Sequence, residues 1–103
     1  MKREMKKGLV DLVLLSLVGR GGISGADLVV ELQGLFPTGT IYPALGRLER
    51  SGLLVSHRRR ASTGRIRKEY DLSPAGREEL ATLADEWDAL TAAISQIRHG
   101  APR

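Results

Sequence analysis

Apolar residues along this 103-residue chain keep two different periods, and the points where the period changes divide it into elements. Leu9, Val10, Val13, Leu14, Leu17 and Val18 recur at i, i+3 and i+4, which predicts a mostly buried helix over 9–18. Lys6 and Lys7 precede that stripe, and Gly19, Gly21 and Gly22 end it. Ser24 with Asp27 three residues on resembles a capping box. Leu28, Val29 and Leu32 then give a second, short helix its apolar face before Gly34 stops it. A third helix starts near Thr38–Thr40. Either threonine can cap it; Pro43 favours Thr40, because the proline then falls in the first turn, where a missing N–H costs least. Ile41, Ala44, Leu45 and Leu48 form one face, Pro43, Gly46, Arg47 and Arg50 lie roughly opposite, and Tyr42 is on the flank. Gly46 inside such a helix costs about 1 kcal/mol relative to Ala, which asks for close approach by another group.

After Gly52 the period falls to two. Leu53 to Arg58 reads as a strand and Arg59 to Gly64 as a small, polar turn. On the return strand Ile66, Lys68, Tyr70 and Leu72 share one face, and Arg65, Arg67, Glu69 and Asp71 the other. A two-stranded hairpin is marginal alone, so it must pack on the helices. Ser73-Pro74 supplies an N-cap and a first helical proline for a last helix running to about Arg98. Leu80, Leu83, Trp87, Leu90, Ile94 and Ile97 follow heptad spacing along it. The predicted class is α+β, mostly α, with residues 1–73 as helices and hairpin and 74–98 as a long C-terminal helix, together one compact unit, and 99–103 as a disordered tail.

Composition narrows the chemistry. The absence of cysteine excludes disulfides, thiolate metal sites and thiol nucleophiles, and two histidines, His57 and His99, leave little for a metal site or a triad. No cofactor, no metal and no enzymatic activity is expected. The longest apolar stretch, Leu9 to Val18, is broken by Asp11 and Ser16 and is far shorter than the ~20 residues that span a bilayer, so a cytoplasmic location is expected. Charge is distributed unevenly: residues 2–68 carry thirteen basic and five acidic side chains, while residues 69–103 carry three and seven. Arg47–Lys68 alone holds eight cations against Glu49.

Two short helices joined by a tight loop and followed by a basic hairpin describe a winged helix-turn-helix. In that fold the second helix of the pair enters the DNA major groove, with its first residues nearest the base edges. Here Thr38, Thr40, Tyr42, Pro43, Arg47 and Arg50 are the candidates on that helix, and Arg58, Arg59, Arg60, Arg65 and Arg67 on the wing. Arginines suit the adjacent backbone or minor groove. The block Thr38-Gly39-Thr40-Ile41-Tyr42-Pro43-Ala44-Leu45, with Arg47-Leu48-Glu49 and Gly52-Leu53, resembles the recognition-helix signature of PadR-type transcriptional regulators. Arg65 to Tyr70, Leu72-Ser73 and Ala75-Gly76-Arg77 resemble that family's wing strand and the start of its last helix. The sequence departs from the family pattern at Ala26, where an aromatic is common, at Gly46, and in having a single wing glycine, Gly64. The resemblance implies a bacterial, dimeric repressor, often released by a small effector.

The heptad stripe of Leu80, Leu83, Trp87, Leu90, Ile94 and Ile97 can be buried against the chain's own helices or against a second copy; the length of the helix and the family resemblance both point to a homodimer seam. A dimer would place two recognition helices about one DNA turn apart, ~34–36 Å, over a near-palindromic operator. Trp87 carries two readings: an aromatic filling the seam, or, as the family resemblance implies, one wall of a pocket between protomers for a planar aromatic or cationic effector, beside Asp85, Glu86 and Asp88. A different class of function, a winged-helix module docking an acidic protein or RNA, would use the same arginine wing.

Overall fold

The computed structural model describes residues 3–100. Seven elements follow one another: α1 (Arg3–Gly19), β1 (Ile23–Ser24), α2 (Gly25–Glu31), α3 (Thr38–Arg50), β2 (Leu54–Arg60), β3 (Ile66–Leu72) and α4 (Pro74–Arg98). Each helix sends one apolar stripe to a common core. Val10, Leu14, Leu15 and Val18 come from α1, Leu28 from α2, and Ile41, Ala44, Leu45 and Leu48 from α3. Leu54, Tyr70 and Leu72 close that core from the sheet. Burying each of these large aliphatic side chains contributes roughly 1.5–3 kcal/mol, and this burial fixes how α3 sits against α1.

The helix starts show where local chemistry decides. The Ser24 hydroxyl accepts from the Asp27 amide at 3.1 Å, but the Asp27 carboxylate does not reach back to complete a box; it turns to Arg67 at 2.9 Å. The Ser73 hydroxyl accepts from the Gly76 amide at 3.0 Å and so caps α4, with Pro74 following as expected. The expected cap of α3 is corrected. The helix begins at Thr38, at the near end of the expected range, with Pro37 and not a threonine at the N-cap and no side-chain cap. The Pro37 carbonyl accepts from the Thr40 and Ile41 amides instead. Pro43 therefore lies in the second turn, inside the helix, where it leaves the Gly39 carbonyl without its intrahelical donor. Gly39 is exposed, so that carbonyl is open to solvent.

The sheet also differs from the expected hairpin. Three antiparallel strands are ordered β1-β3-β2, with Ile23 opposite Tyr70 on one side of β3 and Ser56 opposite Tyr70 on the other. A strand of two residues is too short to show any period. The β2–β3 ladder runs out to the pair Arg60 and Ile66, two residues further along β2 than predicted. Its turn closes through Ala61 and Arg65, with Gly64 at φ +87°, a left-handed conformation that side chains resist.

α4 starts on the core and then leaves it. Its 25 residues extend about 37 Å. Leu80 and Leu83 pack against the core, whereas Trp87 is 39% exposed, Leu90 46%, Ile94 43% and Ile97 79%. His99 caps the helix and Gly100 follows with φ +64°; residues 101–103 of the expected tail lie outside the described residues.

Candidate nucleic-acid interface

α3 stands with one face in the core and the other in solvent, so its packing selects which side chains it offers. Thr38, Tyr42, Pro43 and Arg50 are exposed, and Thr40 is half-buried. Tyr42 lies over Gly25, where a Cβ would come within 3.1 Å of its ring. Tyr70 approaches the same point at 3.7 Å, so the glycine at the start of α2 makes room for both rings. The close approach expected at Gly46 is also present: the Arg50 guanidinium folds over it, 3.1 Å from where a Cβ would be.

Arg47 is held differently from the way its position on the helix suggests. Both terminal nitrogens donate to the Asp11 carboxylate of α1, at 3.1 and 2.5 Å, and this pairing raises the arginine pKa above its ordinary value. Such a fork is stronger than a single neutral hydrogen bond and fixes orientation. Arg47 thus ties the outer edge of α3 to α1. Glu49 makes a second tie, to the wing. It accepts from the Ser56 hydroxyl on β2 and from Lys68 on β3 at 3.1 Å. The Ser56 bond, helped by Lys68, holds the Glu49 carboxyl below its ordinary pKa, and the Glu49 bond raises that of Lys68. Lys68 also sits 5.4 Å above the Tyr70 ring.

The wing arginines divide into held and free. Arg67 donates to Ser24 at 2.8 Å and to Asp27 at 2.9 Å, which joins β3 to the start of α2. Arg59 lies 3.5 Å from Glu69 and is mostly exposed. Arg60 donates to the Gly64 carbonyl across the turn at 3.2 Å. Among the described residues Arg50, Arg58, Arg60 and Arg65 make no ion pair. His57 lies 3.5 Å from Asp71 and 3.8 Å from Glu69, on the strand face that carries Arg59.

The exposed side of α3 is bordered by two grooves. One, of about 880 Å³, runs between Tyr42, the start of α2 and the wing, with Arg65, Arg67 and Lys68 along it. The other, of about 780 Å³, runs between α3 and the first turns of α1. Sequence reasoning brought together the α3 threonines, Tyr42, Arg50 and the wing tip. It missed Asp11, Gly25 and Glu49, the three residues that fix how α3 is held. A helix wheel can suggest that an acid on α1 faces α3, but not which cation it takes.

A third, apolar groove of about 210 Å³ lies between α1 and α4, lined by Met5, Leu9, Leu12, Leu83, Trp87 and Leu90, with Glu86 at its edge. Here the structure puts the tryptophan beside α1, which the heptad spacing alone could not specify.

Comparison with known proteins agrees with this architecture. Residues 14–82 match the transcriptional regulator PadR-like family. The chain is 41% identical over 81 residues to transcriptional regulator Rv3488 of Mycobacterium tuberculosis, covering 76% of this chain and 75% of that protein. The structure of a Streptococcus transcriptional regulator superposes with a TM-score of 0.84 at 28% identity, over 95% of this chain and 99% of that one. Bacillus subtilis PadR in complex with operator DNA shares the fold, with a TM-score of 0.64 at 24% identity over 72% of this chain and 45% of that one. These relatives are regulators rather than enzymes, and the chain belongs to the PadR-like family of transcriptional regulators.

Proposed function

We propose that this regulator is a homodimer that binds a near-palindromic operator through α3 and the wing and acts as a repressor released by a small effector. The observation that carries the reading is the exposed side of α3. Thr38, Thr40, Tyr42, Pro43 and Arg50 line it, and the arginine wing of Arg58, Arg59, Arg60 and Arg65 stands beside it. A helix of this diameter, about 10–12 Å, fits a major groove about 12 Å wide. The operator complex of Bacillus subtilis PadR supports the same use of the fold. Arg47 and Arg67 act in this reading as braces that fix α3 and the wing, each keeping its charge near the phosphates.

The dimer reading rests on α4. Trp87, Leu90, Ile94 and Ile97 continue one seam past the end of the core and are exposed in the single chain, an apolar strip that a second copy would cover. The 210 Å³ groove at Trp87 is below the ~300–1,000 Å³ of ordinary ligand pockets. Two such grooves facing each other across a dimer would reach that range, with Glu86 favouring a planar cation.

The test is fluorescence anisotropy at 150 mM salt with a duplex selected from random sequence and a scrambled control. A sequence-specific regulator binds the selected duplex at least 10³-fold more tightly. Equal affinity for both overturns the reading in favour of a basic module that docks RNA or an acidic protein. Light scattering must give twice the chain mass at micromolar concentration; a monomer overturns the dimer. Trp87, the sole tryptophan, must change its fluorescence with a planar ligand if the effector reading holds.

A further inference from the structure

The groove between α3 and α1 has a composition that the reading head of α3 and wing does not explain. Its charged lining consists of Lys6 and Lys7 from α1 and Arg47 and Arg50 from α3, with no acidic side chain among them. Among the residues whose side chains are described, Asp11, one helical turn beyond Lys7, is the nearest acid on that side of α1, and both of its oxygens are taken by Arg47. Lys6 and Lys7 are exposed and make no ion pair among the described residues. Two ammonium groups on successive residues, held beside two guanidiniums, repel one another unless an anion lies between them.

The placement of the groove identifies that anion. A helix inserted in a major groove is bordered by a phosphate strand on each side, because the helix and the groove have nearly the same width. On one side of α3 lies Tyr42 with the wing, whose arginines meet one strand. On the other side lie Thr40, Pro43 and Arg50, and beyond them Lys6 and Lys7. The wing cannot reach across α3 to serve the second strand.

We infer that Lys6 and Lys7, with Arg50, form a second phosphate-binding site that grips the DNA strand on the far side of α3 from the wing. This rests on the DNA-binding reading above and extends it to α1, a helix otherwise given to the core. The contact is to sugar-phosphate and carries no sequence information, so it sets affinity and the depth of α3 rather than base preference. It also gives each protomer cations on both walls of the groove, which resists rolling of α3 within it.

The experiment compares the full-length wild type with a Lys6→Ala/Lys7→Ala double variant, and with Arg98→Ala at the far end of α4 as a charge control. Each is titrated with the selected and the scrambled duplex from 50 to 200 mM salt. Two phosphate contacts per protomer carry a slope of about 1.8 in log affinity against log salt, so wild-type affinity falls about 12-fold more than that of the double variant across this range, for each protomer engaged. Arg98→Ala keeps the wild-type slope. Melting curves accompany the titrations, and both variants melt with the wild type because both lysines are exposed. An unchanged slope overturns the inference. So does a loss confined to the selected duplex, which would make the lysines base readers, or a lowered melting temperature, which would make them structural. A wild type that binds neither duplex fails the DNA-binding reading itself, an outcome distinct from all of these.

Discussion

Of the glycine-to-alanine changes, Gly76→Ala is the one this fold accommodates worst, because the space for one methyl group is occupied by backbone. Gly76 is buried in the first turn of α4, where a Cβ would come to 2.0 Å from the Leu53 carbonyl oxygen and 3.0 Å from its carbon. Close carbon–oxygen contacts are normally about 3.3 Å or longer, so Leu53 or α4 must retreat by more than 1 Å. Neither can do so freely. The Leu53 carbonyl accepts from the Ser73 amide at 3.1 Å, the Ser73 hydroxyl donates to the Gly52 carbonyl, and the same hydroxyl accepts from the Gly76 amide. Losing the Leu53–Ser73 bond costs about 1 kcal/mol and overpacking a further 1–3 kcal/mol, against which alanine's helix preference returns up to about 1 kcal/mol. The expected net loss is about 2–3 kcal/mol. For a chain of this length each kcal/mol moves Tm by about 4–8 °C, so a fall of roughly 10–20 °C is expected. The assay is circular dichroism melting with a parallel urea titration, at one protein concentration because self-association shifts Tm. A Tm within 2 °C of wild type refutes the reasoning, since it would mean that the turn between β3 and α4 is loose.

The same glycine-to-alanine change at Gly46 has the opposite sign. A Cβ there meets only the movable Arg50 guanidinium at 3.1 Å, so a gain of about 0.5–1 kcal/mol is expected by melting, together with weaker DNA binding as Arg50 is displaced; a loss of stability would contradict this. Asp11→Ala and Arg47→Ala, combined in a double-mutant cycle, should show a coupling of about 1–2 kcal/mol, because the pair is forked and Asp11 is only 15% exposed; a coupling below 0.5 kcal/mol would remove the brace. Glu49 is held below its ordinary pKa, so its tie is present near neutral pH and is lost as pH falls from about 4.5 through the lowered folded value. The difference in melting temperature between wild type and Glu49→Gln should therefore shrink on acidification through that window, from a value worth no more than about 1 kcal/mol for a partly exposed pair; a difference independent of pH would deny the charge a role.

What was legible in the sequence is what a few neighbouring residues determine. Ser73-Pro74 marks the start of α4 because an N-cap hydroxyl and a proline at the first position act over three residues. The stripes of α1 and α3 are legible because burial follows the helical period. The cap of α3 is not legible because two threonine hydroxyls look like caps, whereas the Pro37 carbonyl takes the first amides and Pro43 is accommodated on the exposed side. β1 was missed because two residues have no period and become a strand only when the edge of β3 is there to pair with them.

The charge pattern shows the same division more sharply. Counting cations from Arg47 to Lys68 gives eight, yet four of them meet an acid: Arg47 pairs with Asp11, Arg59 with Glu69, Arg67 with Asp27 and Lys68 with Glu49. Two of those acids come from α1 and α2, 36 and 40 residues away along the chain, so no local window could have subtracted them. The paired cations sit where elements meet, and there their work is to hold α3 and the wing at a fixed angle. The ones unpaired among the described residues, Arg50, Arg58, Arg60 and Arg65, sit on the last turn of a helix and along the outer part of a hairpin. Held charges give geometry and free charges give attraction. A basic run read from sequence therefore overstates the charge available to DNA and understates the rigidity of the face that carries it. The salt dependence of binding should follow the free cations, because only a charge that gives up no protein partner releases a full counterion when it meets a phosphate.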